Sequence, residues 1–98
     1  MKLHELKIKK GYLIAIEQGL KTFELRKNDR NYEVGDLIHF IPVEDDKPIE
    51  IPFTYHFRIL RSPIDDVYQI IFILKDVPEY GLDKDYCILG IKRLEQER

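Results

Sequence analysis

The stretch GLKTFELR at residues 19–26 is the most informative part of the sequence for predicting the fold. Gly19 stands where the C-terminus of a helix favours a residue that can adopt positive φ, which predicts that a helix ends here. Leu13 and Ile16 are three residues apart and share a helical face, so the sequence predicts a helix from about Lys10 to Gln18. A strand then begins within a few residues of the helix end.

The strand that follows the helix has two different faces. Phe23 and Leu25 point the same way, and we expect them to be buried in the core. Glu24 and Arg26 share the opposite face, about 7 Å apart by strand geometry. Together with Lys21 they form a cluster of donors around one carboxylate. Such a cluster is able to bind a phosphate or to form hydrogen bonds with the polar edge of a base. The alternative is a solvated strand face whose ion pairs contribute little.

The remaining elements are predicted from the same alternation and from turn residues. They are strands at about residues 3–8, 37–43, 49–60, 68–75 and 86–94, a charged hairpin tip at 44–48 and a loop at 78–85. His4, Leu6 and Ile8 share one face of the first strand, and strand 68–75 is apolar on both faces and therefore expected to be central. This set predicts an α+β, mainly β fold: a small barrel of about six strands with one helix packed on its side. No linker divides the chain, so residues 1–98 are expected to form a single domain.

Charge is distributed unevenly along the chain, although its total is only −2. Residues 1–30 hold eight Lys and Arg against four Asp and Glu, a net of +4, whereas residues 31–98 hold eight against fourteen, a net of −6. This predicts a basic surface beside the 19–26 stretch with acidic residues elsewhere, unless folding disperses the charges. The basic residues concerned are Lys7, Lys9, Lys10, Lys21, Lys27 and Arg30, and the acidic ones are Asp45, Asp46, Asp83 and Asp85.

The sequence has the features of a cytoplasmic protein. Its longest apolar run, Ile70 to Leu74, is five residues long, far short of the roughly 20 that cross a bilayer, so no membrane partner is predicted. The charged N-terminus, Met1 to Glu5, lacks the apolar block of a secretory signal. The single cysteine, Cys87, cannot form an internal disulfide and is expected to pack as a small hydrophobe.

Side chains that are able to hold a metal are scattered. His39, His56 and Cys87 lack the spacing of a zinc site, so neither a metal nor another cofactor is predicted. His4 lies on an apolar face and is expected to be an interior, hydrogen-bonded histidine, with ligand contact as the alternative. Four tyrosines are expected to be core residues, with stacking on bases as the alternative: Tyr12, Tyr32, Tyr55 and Tyr68.

The run from Gly19 to Arg26, continued by Lys27-Asn28-Asp29-Arg30 and by Val34-Gly35-Asp36, resembles the signature of ASCH domains, members of the PUA-like superfamily. His4-Glu5-Leu6-Lys7 and the strand from Tyr86 to Ile91 resemble an uncharacterised bacterial and phage branch of that group. The resemblance implies a small β-barrel with a cleft beside its first helix, and binding of RNA or of a nucleotide-like ligand there. The ligand-binding residues that it implies are Lys21, Thr22, Glu24, Arg26, Asn28, Asp29, Arg30 and His4.

Another branch with a similar motif is enzymatic, and removes the acetyl group from N4-acetylcytidine with a Lys, a nucleophilic Thr and a distant Glu. Lys21 matches that Lys, but Glu24 stands at the position of the nucleophile, and Thr22 matches a threonine without that role. No residue between 60 and 80 matches the catalytic Glu. These departures favour a binding module over an enzyme. An amidohydrolase with Lys21 as base and Glu24 in an altered role, and a protein-interaction module, stay open as alternatives.

Overall fold

The computed structural model describes residues 1–43 and 66–94, which form five strands, one α-helix and one short 3-10 helix. In chain order they are β1 (Leu3–Lys9), α1 (Lys10–Glu17), β2 (Phe23–Lys27), β3 (Leu37–Val43), β4 (Val67–Leu74), the 3-10 helix Pro78–Tyr80 and β5 (Tyr86–Arg93). The predicted α+β, mainly β fold is confirmed. The predicted hairpin tip at 44–48 and strand at 49–60 lie outside the described residues. Within the described ranges, no helix has the length and apolar character that a membrane crossing requires.

The five strands form one sheet in the order β1-β3-β4-β5-β2. β1 and β3 are parallel, and the other neighbouring pairs are antiparallel. The sheet curls into a half-barrel, in which side chains bridge the two edge strands β1 and β2. Arg26 Nη1 donates to the carbonyl oxygen of Lys7 at 2.8 Å. Arg30 Nη1 donates to the carbonyl oxygen of Glu5 at 3.2 Å. We call the gap between β1 and β2 the seam.

The core fills the inner side of the sheet and takes one face of α1. Its apolar members are Leu6, Ile8, Leu13, Ile16, Tyr32, Ile38, Phe40, Tyr68, Ile70, Cys87, Leu89 and Ile91. Leu6 and Ile8 are buried, which confirms the inner face predicted for the first strand. Cys87 packs among these residues as predicted, and burial raises the pKa of its thiol. Burial of each large apolar side chain contributes roughly 1.5–3 kcal/mol, so this cluster is the main source of stability.

α1 ends at the position that the sequence predicts. Gly19 has φ +76°, in the left-handed region that glycine adopts without strain. Its N–H donates to the Ile16 carbonyl at 3.0 Å, and the N–H of Leu20 donates to the Ala15 carbonyl at 2.9 Å. This pair of hydrogen bonds closes the last helical turn and reverses the chain. The reversal brings Lys21 to the first residues of β2.

The prediction that Phe23 and Leu25 are buried is wrong. Their side chains are 46% and 54% exposed, whereas Glu24 between them is only 5% exposed. β2 is an edge strand, and its inner face lies beside the start of α1 and the end of β1. Alternation shows which residues share a face of a strand, but it does not show which of the two faces is turned inward.

β4 lies between β3 and β5, which confirms that it is central. Its two apolar faces are nevertheless not equally buried, because Ile70 is in the core while Phe72 is 61% exposed. A bulge at Ile71 shifts the register and sets Phe72 opposite Gly90 on the outer face. A Cβ at Gly90 would approach the Phe72 Cβ to 3.2 Å, so the glycine makes room for this phenylalanine.

Candidate functional site

A cleft of about 470 Å³ lies at one end of the seam, where β1 ends, α1 begins and β2 begins. Its volume is within the range of pockets that hold small molecules. The polar and aromatic side chains on its walls include Lys7, Lys9, Tyr12, Lys21, Glu24 and Arg26. Among the described residues that line it, Glu24 is the one carboxylate. We call this space the seam cleft.

The carboxylate of Glu24 is bracketed by two cations. Its Oε1 accepts a hydrogen bond from Lys21 Nζ, and its Oε2 accepts one from Arg26 Nη1 at 3.1 Å. The prediction that these three side chains interact directly on one concave surface is therefore confirmed. A buried carboxylate is stable only with such charge-assisted partners, and two cations around one anion leave the cluster with a net charge of about +1.

Lys21 is fixed by more than its ion pair. Its Nζ also donates to the main-chain carbonyl of Phe23 at 2.8 Å. The same nitrogen lies 5.2 Å from the ring centroid of Tyr12 and 5.0 Å from that of Phe23, within the range of cation–π attraction. Tyr12 is exposed on the wall of the cleft, so the expectation that it is a core residue is wrong. Lys9 Nζ also lies near its ring, 5.8 Å from the centroid.

Arg26 connects the seam cleft to a buried polar layer beneath it. The guanidinium lies beside the hydroxyl of Tyr32, a residue that is buried in the core as predicted. Burial raises the pKa of Tyr32 above its usual 10.0, although the nearby Arg26 and Arg30 act in the opposite direction. The Tyr32 ring in turn packs on the ring of His4, with 4.8 Å between centroids.

His4 and Asp36 form a buried pair under the cleft. Nε2 of His4 lies 2.8 Å from Oδ2 of Asp36, and the N–H groups of Lys2 and Glu33 donate to the same carboxylate at 3.1 Å each. Burial alone would raise the pKa of Asp36, but the hydrogen bond from His4 and those from the backbone outweigh it and lower this pKa to about 2. The ionised carboxylate only accepts hydrogen bonds, so Nε2 of His4 carries a proton. The prediction of an interior, hydrogen-bonded His4 is confirmed.

Sequence reasoning missed the role of Asp36. It used Val34-Gly35-Asp36 only as part of the resemblance to ASCH domains, and no pattern in the sequence points from His4 to a partner 32 residues away. The pairing arises because β1 and β3 are neighbours, with His4 opposite Ile38. The start of β3 therefore lies beside the start of β1.

The other residues predicted to bind ligand do not line the seam cleft. Thr22 lines a second hollow of about 500 Å³, together with Gly19 and Lys92. Asn28 and Asp29 form the turn after β2, where the Asn28 N–H donates to the Asp85 carbonyl at 2.8 Å. Arg30 bridges the seam, and His4 is buried below it. Contact of these residues with a ligand stays a prediction.

The predicted separation of charge is only partly present. Lys7, Lys9 and Lys21 line the seam cleft, which agrees with a basic surface there. Asp85, however, lies next to the turn that ends β2, so its predicted placement away from the motif is wrong. The acidic residues Asp45 and Asp46 lie outside the described residues.

Metal-ligating side chains do not converge in the described part of the chain, where no group of three His, Cys, Asp or Glu residues is arranged to hold an ion. The chemistry that the seam cleft offers comes from hydrogen bonds, charge and aromatic surface. It combines fixed cations, one bracketed carboxylate and the exposed rings of Tyr12 and Phe23. Such a set is suited to recognising a ligand that is both polar and flat.

The chain is thus a small, mainly β domain. It is a half-barrel with one helix, and it has a carboxylate held between two cations at its seam. The chain belongs to the family described as a domain of unknown function (DUF3850), which matches residues 3–91. The chain is also similar to an uncharacterised 12.9 kDa protein in the GpA 3′ region of Escherichia phage P2, with 46% identity over 37 residues. That match covers 38% of this chain and 34% of the phage protein, so the chain spans about a third of that relative's length.

Proposed function

We propose that this chain is an ASCH-type, PUA-like module that binds RNA or a nucleotide-like ligand in the seam cleft. The observation that carries the proposal is the buried Glu24 carboxylate, held between Lys21 and Arg26 at the wall of a cleft of about 470 Å³. The resemblance of residues 19–36 to the ASCH signature supports it from the sequence. The proposed compartment is the cytoplasm, because Cys87 is a free and buried thiol.

The walls of the cleft offer a partner for each part of a nucleotide. Lys7 and Lys9 on the wall formed by β1 supply positive charge for phosphate oxygens. The exposed ring of Tyr12 supplies a surface on which a base can stack. Glu24 and its two cations supply acceptors and donors for the polar edge of that base. Phosphate contacts release counterions, so affinity should fall steeply with salt.

The arrangement favours recognition over hydrolysis. Both oxygens of Glu24 already accept hydrogen bonds from cations, and Nζ of Lys21 donates to two acceptors. A carboxylate that is held between two cations positions a ligand well, but it is a weaker base and a weaker nucleophile than a carboxylate without such partners. The amidohydrolase and the protein-interaction module therefore become outcomes of the experiment below.

The test is a binding screen of short single-stranded RNAs and free nucleotides by fluorescence anisotropy and calorimetry. Lys21→Ala is compared with wild type, and Lys84→Ala is the matched control because Lys84 is exposed and does not line the cleft. We expect Lys21→Ala to weaken binding about tenfold, the scale of one charge-assisted contact, and Lys84→Ala to change it less than twofold. Equal effects of the two variants, or no binding by wild type, would contradict the proposal.

A second arm separates binding from catalysis. Wild type and Glu24→Thr, which restores the residue of the amidohydrolase branch, are incubated with N4-acetylcytidine, and release of cytidine is followed by chromatography. We expect no turnover by wild type and at most a trace by Glu24→Thr. Glu24→Gln should keep the fold and weaken ligand binding by a few kcal/mol at most. Robust deacetylation by wild type would establish the enzyme instead, and neither binding nor turnover would leave the protein-interaction module.

A further inference from the structure

The cluster of Lys21, Glu24 and Arg26 presents hydrogen-bond donors and acceptors in a definite order. Lys21 Nζ lies on Oε1 of Glu24, and Arg26 Nη1 lies 3.1 Å from Oε2. Each carboxylate oxygen has about two lone-pair directions, and each has one occupied, which leaves one acceptor direction on each oxygen. The ammonium group has three N–H donors with two in use, and the guanidinium has five donors, of which the two on Nη1 are in use. The order across the cluster is thus donor, acceptor, donor.

The main-chain carbonyls next to this cluster each contact one of the two cations. The carbonyl of Phe23 receives Lys21 Nζ, and the carbonyl of Lys7 receives Arg26 Nη1. Among the described residues, the Glu24 carboxylate is the acceptor that both cations contact, so it lies in the middle of the pattern. A ligand that matches it needs a single donor flanked by an acceptor on each side.

From this pattern we infer that the seam cleft selects bases with an imide edge, the carbonyl, N–H, carbonyl sequence of uracil. The inference rests on the proposed function, in which the ligand is a nucleotide or RNA. The N3–H of uracil donates to Glu24, while its O2 and O4 accept from Lys21 and Arg26. The ring face of the base then stacks on Tyr12, and the phosphate lies beside the lysines of β1.

The other three bases match the pattern less well. Cytosine replaces the N3–H by a lone pair, which would face the carboxylate of Glu24, and replaces one carbonyl by an amino group. Guanine has one carbonyl and one N–H but ends in an amino group, a donor that would meet a cation. Adenine offers one donor and one acceptor and leaves one cation without a partner. Specificity therefore has two sources. Uracil pairs each donor with an acceptor, and the other bases set a donor against a donor, set an acceptor against an acceptor, or leave a cation without a partner.

The experiment titrates the full chain with UMP, CMP, GMP and AMP at one salt concentration by calorimetry. A fifth probe, N3-methyl-UMP, carries a methyl group in place of the proposed donor hydrogen. We expect UMP to bind about tenfold more tightly than CMP and than N3-methyl-UMP, as for one well-placed base contact. Glu24→Gln, which turns one acceptor into a donor, should reduce the ratio of UMP to CMP affinity to about twofold. Glu33→Gln is the matched control, because Glu33 is exposed, and it should keep the wild-type ratio.

The possible results test the uracil inference and the proposed function separately. Equal affinities for UMP and CMP, tighter binding of another nucleotide, or unchanged binding of N3-methyl-UMP would overturn the uracil inference and leave the proposed function standing. Failure to bind every mononucleotide and every short RNA would overturn both. If Glu24→Gln unfolds, as seen by circular dichroism, the comparison of UMP with N3-methyl-UMP on wild type still decides the question, because it needs no variant.

Discussion

Replacement of Asp36 by asparagine should destabilise the fold by about 2 kcal/mol. The carboxylate is 1% exposed and accepts three hydrogen bonds, from His4 and from two main-chain N–H groups. An amide can take the place of only one oxygen as an acceptor, so Asp36→Asn turns an N–H toward at least one of these donors. Loss of a hydrogen bond to a charged group costs about 1.5–3 kcal/mol.

The pKa of Asp36 gives a similar magnitude by a second route. This pKa lies at about 2 in the folded chain, against a usual 3.8, and each unit corresponds to roughly 1.4 kcal/mol. Because the folded pKa is the lower one, the stabilisation is fully present above about pH 4 and is lost as the pH falls through 2. Wild type should therefore lose roughly 2 kcal/mol of stability over that range, and Asp36→Asn should lose much less.

The assay is urea unfolding between pH 7 and pH 2, followed by circular dichroism and tyrosine fluorescence, since the chain has six Tyr and no Trp. Asp29→Asn is the control, because Asp29 is an exposed aspartate on a turn, and it should change the free energy of unfolding by less than about 0.5 kcal/mol. The reasoning is refuted if Asp36→Asn matches this control at pH 7, or if its pH profile between 4 and 2 is as steep as that of wild type.

Three further predictions concern the scaffold. Gly19→Ala should lower the free energy of unfolding in urea by about 1 kcal/mol, because φ is +76° there. Gly19→Asn should lower it less, since asparagine tolerates this conformation. Equal losses for the two variants would contradict the strain argument. Leu6→Ala should cost about 2–5 kcal/mol in the same assay because Leu6 is fully buried, and a loss no larger than that of the exposed Leu3→Ala would be inconsistent with this core. The Cys87 thiol should resist an aromatic disulfide reagent at pH 8 until urea unfolds the chain, because burial raises its pKa; rapid reaction of the folded chain would exclude this placement.

Local sequence patterns were sufficient to predict most of the strands and the helix. The end of α1 depends on Gly19 and on carbonyls three to five residues before it, so its signal is contained in a short window. The inner face of β1 follows from three apolar or aromatic positions at a spacing of two. The central position of β4 follows from its lack of a charged face. Each of these features requires only neighbours in sequence.

The features that the sequence did not predict depend on contacts between distant residues. Phe23 and Leu25 are as apolar as core residues, and only the packing of β2 against the seam shows that their face is the outer one. The partner of His4 is 32 residues away. The Lys21–Glu24–Arg26 cluster was predictable as a set because its members lie within six residues of one another. Its burial was not, because the start of α1 and the edge of β1 enclose it.

The two arginines that bridge the seam also affect how the chain behaves at high concentration. An exposed strand edge recruits a second strand through alternating N–H and carbonyl groups, which is the route to sheet-to-sheet aggregation. On β1 the outward carbonyls of Glu5 and Lys7 are occupied by Arg30 and Arg26. An incoming strand would have to displace two charge-assisted hydrogen bonds before it gained any of its own. The two arginines that bridge the seam therefore protect this edge of the sheet from fibril growth.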